Sequence, residues 1–221
     1  MNFFSNIFSS RLSHVLSVFL LATMLHLSSS ASVANAQNFE RMPEIESDLY
    51  GEMAFVSGDY ESMKAIRRFW VNEAQRLKSM RQLEFTLTGS NEAILKVTIP
   101  ARLLYAQGDT TFLASAETYL RPLLRLIKGP EAVATIIIAS HTDNNGSDAY
   151  LSRLSKSRAA VMHRWMAKQG VGPTDIHSFG WGNKVPRNEN KNIRERERNR
   201  RVSIYLVPNK QMLKQAKKGK L

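Results

Sequence analysis

The sequence predicts an α/β sandwich in which a mixed, roughly four-stranded sheet packs against helices and follows a small N-terminal extension. The first observation is that strand-like and helix-like stretches alternate along most of the chain, as in layered α/β domains. The second is the run over residues 134–139, whose apolar, mostly β-branched side chains indicate a strand buried on both faces. A chain of 221 residues is long enough for one such domain with a short extension.

The first half of the chain contains two predicted helices and two predicted strands. Apolar residues at three- and four-residue spacing predict an amphipathic helix over 59–80. This helix could pack against the domain or bind a partner, and packing is the favoured interpretation. Alternating apolar and polar residues predict strands over 82–88 and 93–99. A second helix is predicted over about 112–127, where a Gly-Pro pair ends it.

The second half continues the alternation. After the central strand, a polar loop leads to a long helix over 148–168. A strand is predicted over 176–181, a helical turn over 194–198 and a last strand over 202–207. Because strands and helices alternate, we expect helices on one or both faces of the sheet.

Residues 1–36 have the composition of a secretory signal peptide. They contain one basic residue, Arg11, and no acidic residue, and their apolar stretches are too short to span a bilayer. Ala34-Asn35-Ala36 fits the A-x-A cleavage pattern, so we expect the mature chain to begin at Gln37. A buried N-terminal helix is the less favoured alternative. The pattern predicts a periplasmic protein, and we also consider peripheral association with the outer membrane.

The composition excludes sites that need cysteine and argues against nucleic acid as a partner. The chain has 31 Lys and Arg against 19 Asp and Glu, a formal charge of +12, and no Cys. The lack of Cys excludes disulfides, thiolate metal sites, a cysteine nucleophile and a thioether-linked lipid anchor. An exported basic protein meets wall and outer-membrane carboxylates and phosphates, so nucleic acid is not an expected partner. The basic tail over 209–221 is expected to be a flexible end rather than a ligand site.

A candidate site lies where the central strand is followed by the long helix. Asp143 follows the carboxyl end of that strand, where open α/β sheets place ligands, and the turn after it exposes N–H groups. Ser147 or Asp148 can cap the helix, whose positive end then points to the same place. Arg158 falls on the apolar face of the helix, either as a snorkelling side chain or as a ligand-binding group. An Asp, an Arg and free N–H groups together suit a zwitterion, the Arg holding its carboxylate and the Asp its ammonium.

Three stretches carry a family resemblance. Residues 140–147 resemble the G-H-T-D-x-x-G-S motif of OmpA-like C-terminal domains, and residues 154–161 resemble their L-S-x-x-R-A-x-x-V helix. Residues 180–202 are similar to the G-x-G-x-x-x-P…N-R-R-V ending of those domains. Each motif alone is weak, but the combination is specific. The resemblance extends over about 95–207.

The resemblance implies noncovalent binding of peptidoglycan, as in the OmpA, Pal and MotB groups. Asp143 and Arg158 match the residues that grip the diaminopimelate of the stem peptide in that family. The predicted peptidoglycan-binding residues are Asp143, Arg158, Thr142, Asn144, Gly146, Leu154 and Arg201, with Tyr105 and Arg200 as further candidates. The predicted division of the chain is a signal peptide (1–36), an N-terminal extension with an amphipathic helix (37–81), the OmpA-like peptidoglycan-binding domain (82–208) and the basic tail (209–221).

The chain departs from the family pattern at three places. Leu151 stands where an Asn is usual, and Tyr105-Ala106 stands where Phe-Asp is often found. Glu195-Arg196-Glu197 replaces the usual G-R-A, which makes that turn more highly charged. We expect these changes to alter the affinity for the ligand rather than to abolish binding.

The sequence therefore predicts a non-enzymatic module that anchors the envelope, or an envelope complex, to peptidoglycan. One alternative is an adaptor in which residues 37–92 bind an outer-membrane or other envelope protein. A second, less favoured alternative is a wall-active hydrolase, but the chain has no G-x-S-x-G motif. The histidines at 141, 163 and 177 are not spaced as a metal site, and we expect neither a metal nor a cofactor.

Overall fold

The computed structural model describes residues 58–89, 92–172 and 175–221, which form a mixed sheet packed against helices. The elements are α1 (Tyr60–Arg76), β1 (Glu84–Thr88), β2 (Ile94–Pro100), α2 (Ala116–Ile127), β3 (Ala134–His141), α3 (Asp148–Lys168), β4 (Ile176–Gly182), α4 (Ile193–Asn199), β5 (Arg201–Pro208) and α5 (Lys210–Lys217). The sheet has five strands rather than roughly four, because β1 pairs with β2 and extends that edge. The predicted signal peptide lies outside the described residues.

The order of the strands brings the candidate residues to one end of the sheet. The order is β1-β2-β5-β3-β4, with β3 and β4 parallel and the other pairs antiparallel. His141 at the end of β3 lies opposite Arg201 at the start of β5 and opposite Gly182 at the end of β4. At the other end of the sheet, Ala134 pairs with Pro208. The loop after β3 and the residues before β5 are therefore neighbours, and α5 begins at the opposite end.

Helix α1 packs into the same core as the sheet. Asp59 caps the helix, since its carboxylate accepts a hydrogen bond from the N–H of Ser62 at 2.8 Å. Ile66 and Trp70 are fully buried among the side chains of the sheet and of the other helices. The indole N–H of Trp70 also donates to the carbonyl of Ala93 at 2.7 Å. The apolar face of this helix is thus occupied within the protein.

Helix α3 and strand β4 approach each other closely. A side chain at Gly180 would place its Cβ 2.2 Å from the backbone nitrogen of Lys156, so only glycine fits there. The buried hydroxyl of Ser155 accepts a hydrogen bond from the N–H of Gly182 at 2.8 Å and donates to the carbonyl of Ser152 at 3.0 Å. This serine therefore joins the helix to the end of β4.

The C-terminal residues include a helix, whereas a flexible end was expected. Asn209 caps α5 by accepting a hydrogen bond from the N–H of Met212 at 2.9 Å. Met212 and Ala216, four residues apart, are buried in the main core, and α5 packs against α1. Two buried residues and a cap outweigh the repulsion among the lysines. Within the described part of the chain, no helix has the length and apolar character needed to cross a bilayer.

Candidate functional site

Asp143 lies just beyond β3 with its carboxylate almost buried. The N–H of Thr142 donates to the carbonyl of Gly182 at 2.8 Å, which continues the pairing of β3 with β4 and fixes the start of the loop. The Asp143 carboxylate accepts a hydrogen bond from the N–H of Asn145 at 3.1 Å and forms an ion pair with Arg200. The hydroxyl of Thr142 donates to the carbonyl of Asp143 at 2.9 Å. Thr142 therefore shapes the loop that presents the carboxylate.

The turn that follows depends on Gly146. Its φ of +137° lies in a region that L side chains rarely adopt, and a Cβ there would lie 2.9 Å from the ring of Tyr150. Asn144 is exposed on the same turn. Ser147 is the residue that caps α3, since its hydroxyl accepts a hydrogen bond from the N–H of Tyr150 at 3.3 Å. The positive end of α3 thus lies beside the Asp143 loop.

Arg158 is buried along its whole length, including its guanidinium, with an exposed fraction of 4%. Its Nε donates to the carbonyl of Asp109 at 2.8 Å, and its Nη2 donates to the carbonyl of Ala106 at 3.4 Å. The guanidinium carbon lies 5.1 Å from the centre of the Tyr105 ring. Desolvation lowers the pKa of Arg158 from its usual value. The guanidinium therefore does not reach bulk water but is held by two backbone carbonyls and the Tyr105 ring.

Tyr105 contacts both the backbone and the guanidinium of Arg158. Its buried hydroxyl donates to the backbone carbonyl of Arg158 at 2.8 Å, and its ring stacks on Phe112 at 5.1 Å between centroids. Burial raises the pKa of Tyr105 well above its usual value, so the phenol stays protonated. The role that this geometry gives Tyr105 is to position the arginine, because its hydroxyl is already engaged.

Tyr150 links the two halves of the site, and sequence reasoning did not single it out. Its ring packs beside Gly146 in the Asp143 loop, and its hydroxyl donates to the carbonyl of Gly108, in the loop that holds Arg158, at 3.3 Å. The ring is partly exposed, at 39% of the residue surface. A partly exposed aromatic residue four positions after that glycine is the signal that could have drawn attention to it. Tyr150 therefore joins the loop that carries Asp143 to the loop whose carbonyls hold the Arg158 side chain of α3.

Arg200 belongs to a chain of charges at the same end of the sheet. One of its terminal nitrogens pairs with Asp143, while its Nε, at 3.1 Å, and its other terminal nitrogen bind a single carboxylate oxygen of Glu197. The second oxygen of Glu197 lies 3.1 Å from Nε of Arg102. Burial opposes the charge on Arg200, but the carboxylates of Glu197 and Asp143 raise its pKa above the usual value. The sequence predicted that Glu197 makes its turn more highly charged but did not predict its pairing with Arg200, and it gave no sign of Arg102.

The remaining predicted residues have different positions. Arg201 is buried and donates to the carbonyl of Val185 at 3.1 Å and to that of Asn199 at 3.4 Å, so it braces the loop after β4 and the end of α4. Leu154 is half-buried on α3. Leu151, which stands in place of the usual Asn, is fully buried. The structure gives Arg201 a supporting role and leaves Leu154 on the flank of the helix.

The serines and histidines of α3 and its surroundings have structural contacts. Ser155 is engaged with Gly182 and Ser152, and Nδ1 of His163 lies 3.3 Å from the hydroxyl of Ser178. Among the residues that the structure describes, no group of three or more His, Cys, Asp or Glu side chains is arranged to hold a metal ion.

Comparisons with known proteins agree with this fold. Residues 104–200 match the model of the OmpA family. The chain is 40% identical over 73 residues to outer membrane protein A of Bordetella avium, and the matched region covers 33% of this chain but only 38% of that relative. The fold resembles a MotB-like protein of Desulfovibrio vulgaris, with a TM-score of 0.58 and 20% identity over 67% of this chain and 93% of the other.

A second solved structure has the same arrangement. The cell wall anchor of the type VI secretion system of Pseudomonas aeruginosa gives a TM-score of 0.54 at 18% identity, covering 63% of this chain and 97% of the other. At these identities the two structures establish the fold and not the ligand. Residues 104–200 are thus similar in sequence to the OmpA family, and the described part of the chain has the fold of the MotB-like protein.

Proposed function

We propose that this chain binds peptidoglycan noncovalently, through the diaminopimelate of the stem peptide, and that it acts as an anchor rather than as an enzyme. The observation that carries the proposal is that an almost buried carboxylate, Asp143, and a buried guanidinium, Arg158 of α3, are linked through Tyr150, which contacts the loop at Gly146 and the loop at Gly108. Such charges are costly to bury, so the presence of both in this one region favours a ligand of complementary charge.

The chemistry of the two groups fits one amino acid centre. Diaminopimelate presents an ammonium and a carboxylate on one carbon, and Asp143 would accept the ammonium while Arg158 would donate to the carboxylate. Within the described residues, two of the five N–H groups of Arg158 donate to carbonyls, and the others are available to a ligand. The exposed turn at Asn144 and the rim residue Tyr150 would contact the remainder of the stem peptide.

The names of the similar proteins support a place in the cell envelope. One relative is an outer membrane protein and one structural neighbour is a cell wall anchor. Together with the predicted signal peptide, these names support a periplasmic location for the domain, where it would hold an envelope component to the wall. An adaptor role for residues 37–92 would not use the face of α1 that carries Ile66 and Trp70, because both side chains are buried.

The test is co-sedimentation of the purified chain with peptidoglycan sacculi, together with calorimetry using meso-diaminopimelate. Asp143→Ala should reduce both signals at least tenfold, because the ligand ammonium loses its charge-assisted partner. Glu131→Ala, which removes an exposed acid before β3, at the other end of that strand from Asp143, is the matched control and should bind as the wild type. Wild-type binding by the folded Asp143→Ala protein would contradict the proposed site.

A further inference from the structure

We propose that Arg200 acts as a built-in counter-ion for Asp143, which the ligand ammonium must replace, and that Glu197 retains Arg200 when this happens. The inference rests on the proposed function of the same site. It concerns how the site discriminates: ligands that carry an ammonium can exchange with the arginine, whereas ligands without one leave the site closed by an internal ion pair.

The first step is the state of Asp143 without a ligand. Its side chain is 8% exposed, and a carboxylate so deeply buried is costly unless a cation or several donors compensate it. Arg200 supplies that cation, and the N–H of Asn145 supplies one further hydrogen bond. The position that a ligand ammonium needs is therefore already occupied by a guanidinium nitrogen.

The second step is that Arg200 can release Asp143 without losing its own partner. Only one of its terminal nitrogens reaches Asp143, while Nε and the other terminal nitrogen both bind Glu197. The side chain of Arg200 is 36% exposed and that of Glu197 is 34% exposed, so both have more room to move than Asp143. The second oxygen of Glu197 lies 3.1 Å from Nε of Arg102, which adds a further positive charge beside that acceptor. Exchange therefore replaces one charge-assisted contact by another and leaves no buried charge unpaired.

The third step is that the second acceptor for Arg200, Glu197, is a departure of this chain from the family motif. Glu197 stands where the motif that the sequence resembles carries a small Ala, which cannot accept a guanidinium. Arg200 also lies close enough to Arg158 to lower the pKa of the latter, though burial is the larger cause. Movement of Arg200 towards Glu197 would reduce repulsion between the two guanidinium groups, and a ligand carboxylate would screen what is left.

The experiment is a double-mutant cycle read by calorimetry of the full chain with meso-diaminopimelate. Glu197→Gln should weaken binding about three- to tenfold, because Arg200 then pairs with Asp143 alone and competes more strongly. Arg200→Gln should tighten binding by a similar factor, because the competitor is gone. In the Arg200→Gln background, Glu197→Gln should have no further effect. If Glu197→Gln weakened binding only because it removes a negative charge near the ligand ammonium, it would weaken binding in the Arg200→Gln background as well. The cycle therefore separates this general charge effect from the loss of the partner of Arg200.

Two controls complete the design. Glu189→Gln removes the same charge from the neighbouring loop, where Glu189 pairs only with Lys191 among the described residues, and should leave binding unchanged. Diaminopimelate acetylated on both amino groups, which has no ammonium, should not distinguish Glu197→Gln from the wild type. Circular dichroism checks that each variant is folded.

The outcomes separate this inference from the proposed function. A wild type that fails to bind meso-diaminopimelate overturns the proposed function and this inference with it. A wild type that binds, together with an Arg200→Gln protein that binds less tightly, overturns only the inference, since Arg200 would then be a ligand contact. Unchanged binding by Glu197→Gln, or an equal effect of that substitution with and without Arg200, also overturns it.

Discussion

Replacement of Arg158 by Ala should separate ligand binding from folding. The substitution removes the guanidinium that would face the ligand carboxylate, and the loss of one charge-assisted contact costs about 1.5–3 kcal/mol. That energy corresponds to a roughly 10- to 150-fold loss of affinity. We expect co-sedimentation with sacculi and calorimetry with meso-diaminopimelate to show a loss of this size.

The expected effect on stability is smaller and follows from the partners of the side chain. The variant loses the hydrogen bonds to Asp109 and Ala106 and the contact with the Tyr105 ring. It also relieves the cost of burying a charge, which partly offsets those losses. We expect the free energy of unfolding to fall by about 1–3 kcal/mol, measured by denaturant titration followed by circular dichroism. The protein should remain folded at room temperature.

Two further variants sharpen the result. Arg158→Lys should bind almost as poorly as Arg158→Ala, because an ammonium cannot serve both loop carbonyls and a carboxylate with a planar fork. Arg164→Ala, on the exposed face of the same helix, should bind normally. If Arg158 served only to hold the structure, Arg158→Ala would unfold and Arg158→Lys would bind as the wild type. Wild-type binding by a folded Arg158→Ala protein would refute the assignment.

Two other predictions concern the loop and the core. Gly146→Ala should weaken binding and lower the free energy of unfolding by about 1–3 kcal/mol, because the residue has a positive φ and its Cβ would meet the Tyr150 ring. Calorimetry measures the loss of binding and thermal unfolding measures the loss of stability. An unchanged melting temperature would contradict the reasoning. Trp70→Ala should lower the free energy of unfolding by about 3–5 kcal/mol because the indole is fully buried. Tyr60→Ala, on the exposed side of the same helix, should have little effect. Comparable losses of stability from both substitutions would argue against α1 as part of the core.

The regular elements were predictable where local signals were strong. Helix α3 was expected over 148–168 and has those bounds, since a cap at Ser147 and a stop at Gly170 flank an apolar periodicity. The central strand was recognised from its composition and extends two residues further, to His141. In the C-terminal tail, the lysine content suggested a flexible end. The Asn209 cap and the four-residue spacing of Met212 and Ala216 were the signals for the helix that forms there.

The candidate site was only half predictable. Asp143 and Arg158 could be named because their residue types and their places beside a strand end and on an apolar helix face are unusual. The backbone carbonyls of Ala106 and Asp109 that hold Arg158 carry no signal in the sequence, since every residue has a carbonyl. The charge chain through Glu197 depends on how α4 sits beside the turn after β2, which is a tertiary relation that spacing does not encode.

The two halves of the site differ in how far they are prepared for a ligand. Among the described residues, Arg158 is held by neutral partners, the carbonyls of Asp109 and Ala106 and the Tyr105 ring, which position the guanidinium without neutralising its charge. Asp143, in contrast, is neutralised by a side chain that has a second acceptor within reach. In the proposed mode of binding, the ligand carboxylate would need little rearrangement of the site, whereas the ligand ammonium would have to exchange with Arg200. A ligand with only one of the two charges would gain half of the contacts and leave the other half of the site as it was, which is why the arrangement favours a zwitterionic centre over a simple anion.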